Sequence, residues 1–111
     1  MSIDNNLYEK SIKILTDLIA FKTISGQDNS NLIDYCEKIL NNIGIDTFKV
    51  YDDDKKRVNL FGTLKAKNQG TKKPIILSGH TDVVPVSKGW SSDHLLQQLK
   101  TINFMEEAHV T

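Results

Sequence analysis

His80 and Asp82 are the residues whose types and spacing suit chemistry. In an extended segment, residues two apart point the same way, with about 6.6 Å of backbone rise between them. That reach lets a carboxylate accept the proton on one imidazole nitrogen while the other nitrogen binds a metal. A plainer reading fits the same residue types: a histidine near a loop, hydrogen-bonded to an acid that only satisfies it. What surrounds the pair bears on the choice. It follows the apolar run Ile75-Ile76-Leu77, the mark of a strand buried on both faces, and Pro85 stops ladder hydrogen bonding beyond it. A buried strand delivering a histidine and a carboxylate at its C-terminal end is how many open α/β sheets build a site.

The elements that must position this strand are legible upstream. From Leu7 to about Phe21, Tyr8, Ile12, Leu15 and Ile19 recur at spacings of three and four, with Ile14 and Leu18 widening the stripe. This predicts an amphipathic helix, capped by Asp4 or Asn5. Lys22 to Ser30 is rich in turn formers. Asn29 or Ser30 then caps a second helix to about Ile43, with an apolar face of Leu32, Ile33, Cys36, Ile39, Leu40 and Ile43, and Gly44 at a left-handed C-terminal position. Ile45 to Tyr51 reads as a strand with Phe48 and Val50 inward and Thr47 and Lys49 outward. Val58 to Leu64 reads as a second strand, antiparallel across the turn Asp52 to Lys56. The three aspartates of that turn lack the spacing of a calcium loop. Lys65 to Lys73, with four lysines and no aromatics, reads as a flexible loop and not a nucleic-acid patch. The order helix, helix, strand, strand, strand predicts an α/β protein with a mixed sheet and helices packed against it.

Bulk properties narrow the function classes. A chain of 111 residues predicts one domain with a modest core. With 39% hydrophobic and 25% charged residues the composition is that of a globular protein. Fourteen basic against fourteen acidic residues give zero net charge, so neither nucleic acid nor an anionic membrane is an expected partner. No stretch approaches the ~20 apolar residues of a membrane span. Met1 to Asn6 lacks the basic and apolar regions of a signal peptide, so the expected location is cytoplasmic. The single cysteine, Cys36, makes no internal disulfide and reads as a buried, inert thiol.

A longer string narrows the reading of the pair. Leu77-Ser78-Gly79-His80-Thr81-Asp82-Val83-Val84-Pro85-Val86, followed by Gly89-Trp90-Ser91-Ser92-Asp93, resembles the zinc-dependent amidohydrolase and metallopeptidase family of acetylornithine deacetylase, succinyl-diaminopimelate desuccinylase and the aminoacylases. Leu18-Ile19-Ala20-Phe21-Lys22-Thr23-Ile24-Ser25 and Val58-Asn59-Leu60-Phe61-Gly62-Thr63-Leu64 resemble further family segments, in the family's order. The resemblance spans about Tyr8 to Asp93 and is nearest to acetylornithine deacetylase.

The resemblance implies the N-terminal part of a three-layer α/β/α zinc-peptidase-like catalytic domain over residues 1–93. It implies His80 as a ligand to one of two zinc ions, with cobalt an alternative metal. Asp82 is then the catalytic acid that orients His80, and Trp90, Ser91 and Asp93 line the site wall. The implied substrate is a small N-acyl amino acid. For acetylornithine deacetylase the reaction is N-acetyl-L-ornithine plus water to L-ornithine plus acetate, in arginine biosynthesis; the desuccinylase reaction of lysine biosynthesis is the alternative. Intact members are often homodimers.

After Asp93 the resemblance stops. The family continues Pro-Phe, a bridging Asp, a Glu-Glu pair that supplies general base and ligand, another acid and a final histidine. Here His94 and Leu95 follow, and nothing in residues 94–111 matches. Glu106-Glu107, and Glu106 with His109, imitate site spacings, but they read as charged residues of a terminal helix from His94 or Leu95 to Ala108. One histidine and one carboxylate cannot hold a catalytic zinc, which takes three protein ligands. The expectation is therefore a truncated form, its reading frame lost after Asp93, inactive alone and without stably bound zinc. Two further readings remain open. One is a non-catalytic fragment that associates with a partner chain through uncovered edges. The other is a weak zinc site shared by His80 with His94 or His109.

Overall fold

The computed structural model describes residues 4–68 and 70–91. The chain divides into two compact units, one of residues 22–85 and one whose described parts are residues 4–21 and 86–91.

Among the described residues of the second unit the one element is helix α1, Asn5–Ala20. Asp4 caps it, its carboxylate accepting from the Asn6 N–H at 3.0 Å. The helix ends where Phe21 turns extended, its N–H donating to the Leu18 carbonyl at 3.3 Å. On its polar side Lys13 and Asp17, four apart, form an ion pair at 2.8 Å. No α1 residue is fully buried; Ile12, Ile14, Leu18 and Ile19 are half-buried along the expected stripe.

The unit of residues 22–85 holds helix α2, Ser30–Asn42, and a hairpin of β1, Asp46–Tyr51, and β2, Val58–Thr63. These are a mixed set of helix and antiparallel sheet. The strands pair from Asp46 with Thr63 to Tyr51 with Val58. Their turn is tied by Asp52, whose carboxylate accepts from the Lys56 and Arg57 N–H groups at 3.0 and 3.1 Å and from Arg57 Nε at 2.6 Å. Helix α2 ends as expected: Gly44 takes φ +82°, a conformation that costs glycine nothing.

The helix lies against one face of the hairpin. Leu32, Ile33 and Val58 are buried there, and the Cα of Gly62 comes so close to Ile45 and Leu40 that a Cβ would sit 3.1 Å from Ile45 Cγ2. This placement reverses the expected facing of β1. Lys49 reaches Asp34 at 2.5 Å and Glu37 at 3.1 Å on α2, and Thr47 Oγ1 lies 2.9 Å from Asn41 Oδ1. Phe48 and Val50 face the other way and are 58% and 45% exposed. Phe48 stacks on Phe61, its partner across the ladder, with ring centroids 5.0 Å apart. The face toward α2 carries Lys49 with its two ion pairs, buried Val58 and the close approach at Gly62, while the Phe48–Phe61 stack lies on the opposite face, which α2 does not cover.

The buried strand expected at Ile75-Ile76-Leu77 is not present. These residues join no strand and are 90%, 84% and 93% exposed. β1 and β2 pair with one another, and among the described residues no third segment pairs with the outer edge of either. Apolar character shows what a residue gains if a sheet accepts it; the accepting edge is a separate requirement. The mixed sheet is likewise replaced, among the described residues, by an antiparallel pair and one isolated parallel bridge, Ile24 with Val83. No helix among the described residues is long and apolar enough to cross a membrane.

Candidate functional site

The isolated bridge is what positions the histidine and its acid. Residues 23–25 lie alongside residues 81–83: the Val83 N–H donates to the Thr23 carbonyl at 2.9 Å, and the Ser25 N–H donates to the Val83 carbonyl at 2.9 Å. Thr23 is 5% exposed, and its hydroxyl donates to the Thr81 carbonyl at 2.7 Å, so a buried polar side chain is satisfied by the segment it anchors. Beyond it, Gly26 at φ +84° and the Gln27 N–H on the Ile24 carbonyl at 3.0 Å turn the chain away toward α2.

Asp82 is held from two sides. The Ser25 hydroxyl donates to Oδ2, and His80 Nδ1 lies 3.2 Å from Oδ1. His80 Nδ1 is also 3.0 Å from the Asp82 backbone carbonyl. The hydrogen bond from Ser25, with a smaller contribution from His80, holds the Asp82 carboxyl below its ordinary range. Both neighbours of Nδ1 are acceptors, so in the neutral ring Nδ1 carries the hydrogen and Nε2 presents its lone pair. The carboxylate reach expected from the His-x-Asp spacing is therefore observed, although no paired strand carries the two residues.

The donor chemistry fits one metal ligand with its orienting acid. It does not fit a complete site: among the described residues no group of three or more His, Cys, Asp or Glu side chains is arranged to hold a metal. Trp90 and Ser91 belong to the other unit, and Asp93 lies outside the described residues, as do His94, Glu106, Glu107 and His109. Asp52 spends its carboxylate on its own turn. Cys36 is half-buried on α2, and burial raises its thiol pKa, which keeps it protonated and poorly nucleophilic.

No protein-family model, no curated protein and no solved structure matches this chain.

The spacing of His80 and Asp82 marks the pair; it does not mark Ser25. The serine lies 57 residues away from the acid it holds. Its signal is that Thr23-x-Ser25 and Thr81-x-Val83 are short alternating segments, each beside a glycine turn or a proline stop.

Proposed function

We infer that this chain is the N-terminal part of a cytoplasmic, metal-dependent hydrolase of the amide bond in N-acyl amino acids, most similar to acetylornithine deacetylase and built on a three-layer α/β/α catalytic domain. The observation that supports the reading is the hydrogen-bonded His80–Asp82 pair, within the string Leu77 to Val86 on which the resemblance rests. His80 is the ligand through Nε2. Asp82 keeps the proton on Nδ1 and fixes the ring. Zinc, or cobalt in its place, supplies carbonyl polarisation and a hydroxide nucleophile near neutral pH once a full ligand set holds it. One histidine does not make that set, so residues 1–111 alone neither hold zinc tightly nor hydrolyse N-acetyl-L-ornithine.

The test is the nucleotide sequence beyond the Asp93 codon, translated in all three forward frames. The reading requires one frame to continue with Pro-Phe, then an aspartate and a Glu-Glu pair. Three frames without them would contradict it.

A second reading draws on the exposed run Ile75 to Leu77. Exposed contiguous apolar side chains favour association, here of a non-catalytic fragment with a partner chain. A monomeric elution volume that does not change with concentration, or on adding a separately expressed C-terminal part of an acetylornithine deacetylase, would exclude it.

A further inference from the structure

We propose that Ser25 is a positioning residue that selects the tautomer of His80 through Asp82, a role that rests on the metal-ligand reading of His80 for its use but not for its measurement. A carboxylate offers two oxygens and turns about its terminal torsion. With both oxygens free, Asp82 can rotate away from the imidazole or meet water with either one. The Ser25 hydroxyl removes that freedom by occupying Oδ2, which leaves Oδ1 aimed at His80 Nδ1. Ser25 is itself held: its N–H closes the bridge to Val83, and the buried Thr23 two residues earlier ties down the Thr81 carbonyl. The relay therefore runs from a fixed backbone through a hydroxyl and a carboxylate to one ring nitrogen. In the neutral ring it places the hydrogen on Nδ1 and the lone pair on Nε2, the tautomer that ligates a metal through Nε2.

The Asp82 backbone carbonyl, 3.0 Å from Nδ1, also favours this tautomer. Removing Ser25 thus weakens the preference without abolishing it. The bond to Oδ1 is charge-assisted and the stronger of the two, and losing part of it when Oδ1 is no longer aimed is expected to change the tautomer ratio about threefold.

The experiment is long-range 1H–15N NMR of the full chain at about pH 9, where an ordinary histidine is neutral. Ring-nitrogen shifts there report the tautomer populations of His80 directly. Ser25→Ala is expected to move the population toward the Nε2–H form while the amides of residue 25 and Val83 stay protected from exchange. Ser25→Thr, which keeps the hydroxyl, is expected to restore the original ratio. An unchanged ratio in Ser25→Ala would overturn the proposal. So would a change accompanied by loss of protection at residue 25 and Val83, because Ser25 would then be a strut for the bridge and not a selector of the tautomer. The metal reading fails separately: addition of Zn2+ that leaves His80 Nε2 unmoved in the unsubstituted chain removes the ligand role and leaves the tautomer result standing.

Discussion

Asn29 and Val58 grip each other through a pair of hydrogen bonds: the Asn29 side chain donates from Nδ2 to the Val58 carbonyl at 3.0 Å and accepts the Val58 N–H on Oδ1 at 2.8 Å. A side-chain amide here imitates a strand neighbour for the first residue of β2. It also joins the start of α2 to the hairpin, because Asn29 is the residue that precedes the helix. Val58 is buried, so neither of its backbone groups has water as a ready substitute.

Asn29→Ala removes both partners at once. It should destabilise the unit of residues 22–85 by about 1–3 kcal/mol, the cost of leaving buried backbone groups unsatisfied. Asn29→Asp keeps an acceptor for the Val58 N–H but sets a carboxylate oxygen against the Val58 carbonyl, so it should be destabilising as well. Urea unfolding followed by circular dichroism measures both, and equal stability of Asn29→Ala and the unsubstituted chain would contradict the grip.

Gly62 and Gly79 are glycines with opposite surroundings. A Cβ at Gly62 meets Ile45 Cγ2 at 3.1 Å and Leu40 Cδ1 at 3.4 Å, whereas one at Gly79 meets nothing within 4 Å. Ile45 is β-branched and stiff, so it yields less readily than Leu40. Overpacking costs about 1–3 kcal/mol, against about 0.4–1 kcal/mol gained by restricting the unfolded chain. Gly62→Ala should therefore lower stability by about 1 kcal/mol, and Gly79→Ala should change it by less than about 0.5 kcal/mol. The same unfolding experiment orders the two.

Asp52 links the hairpin turn to pH. The Arg57 backbone N–H first, then the Arg57 side chain, holds its carboxyl below the ordinary value of 3.8. A carboxyl depressed in the folded state contributes stability that is fully present above its unfolded value and is lost as pH falls through the folded value. The turn should therefore be intact at neutral pH and loosen only below about pH 3.9. Asp52→Asn should remove that acid step. Amide exchange at Lys56 and Arg57, compared between pH 6 and the acid range, reads it.

Much of the local structure was legible in the residues, because local rules decide it. Asp4 had a helix to cap, Gly44 had a helix to end, and Tyr51 to Val58 had a turn that two alternating segments could close into a hairpin. What was not legible depends on distant partners. Asn29 has the right type for a helix cap, yet its side chain makes no capping hydrogen bond, because Val58, distant in sequence, takes it. The alternation of β1 gave two faces without saying which would meet α2; the face that does carries Lys49, paired with Asp34 and Glu37 of that helix. Ile75 to Leu77 have the composition of a buried strand, yet among the described residues they pair with neither open edge of the hairpin. In the candidate site, His80 and Asp82 lie close enough in sequence for their contact to be foreseen. The Ser25 contact needed the fold.

The measurement that tests the central claim most directly is a Zn2+ titration of the full chain, followed residue by residue at its three histidines through ring-nitrogen NMR. If His80 is a metal ligand oriented by Asp82, its Nε2 responds at lower zinc than His94 or His109. Asp82→Ala should then raise the concentration needed by about 10–100-fold, the usual cost of losing an orienting acid. A His80 that responds no earlier than the other two, or that keeps its response in Asp82→Ala, would contradict the account.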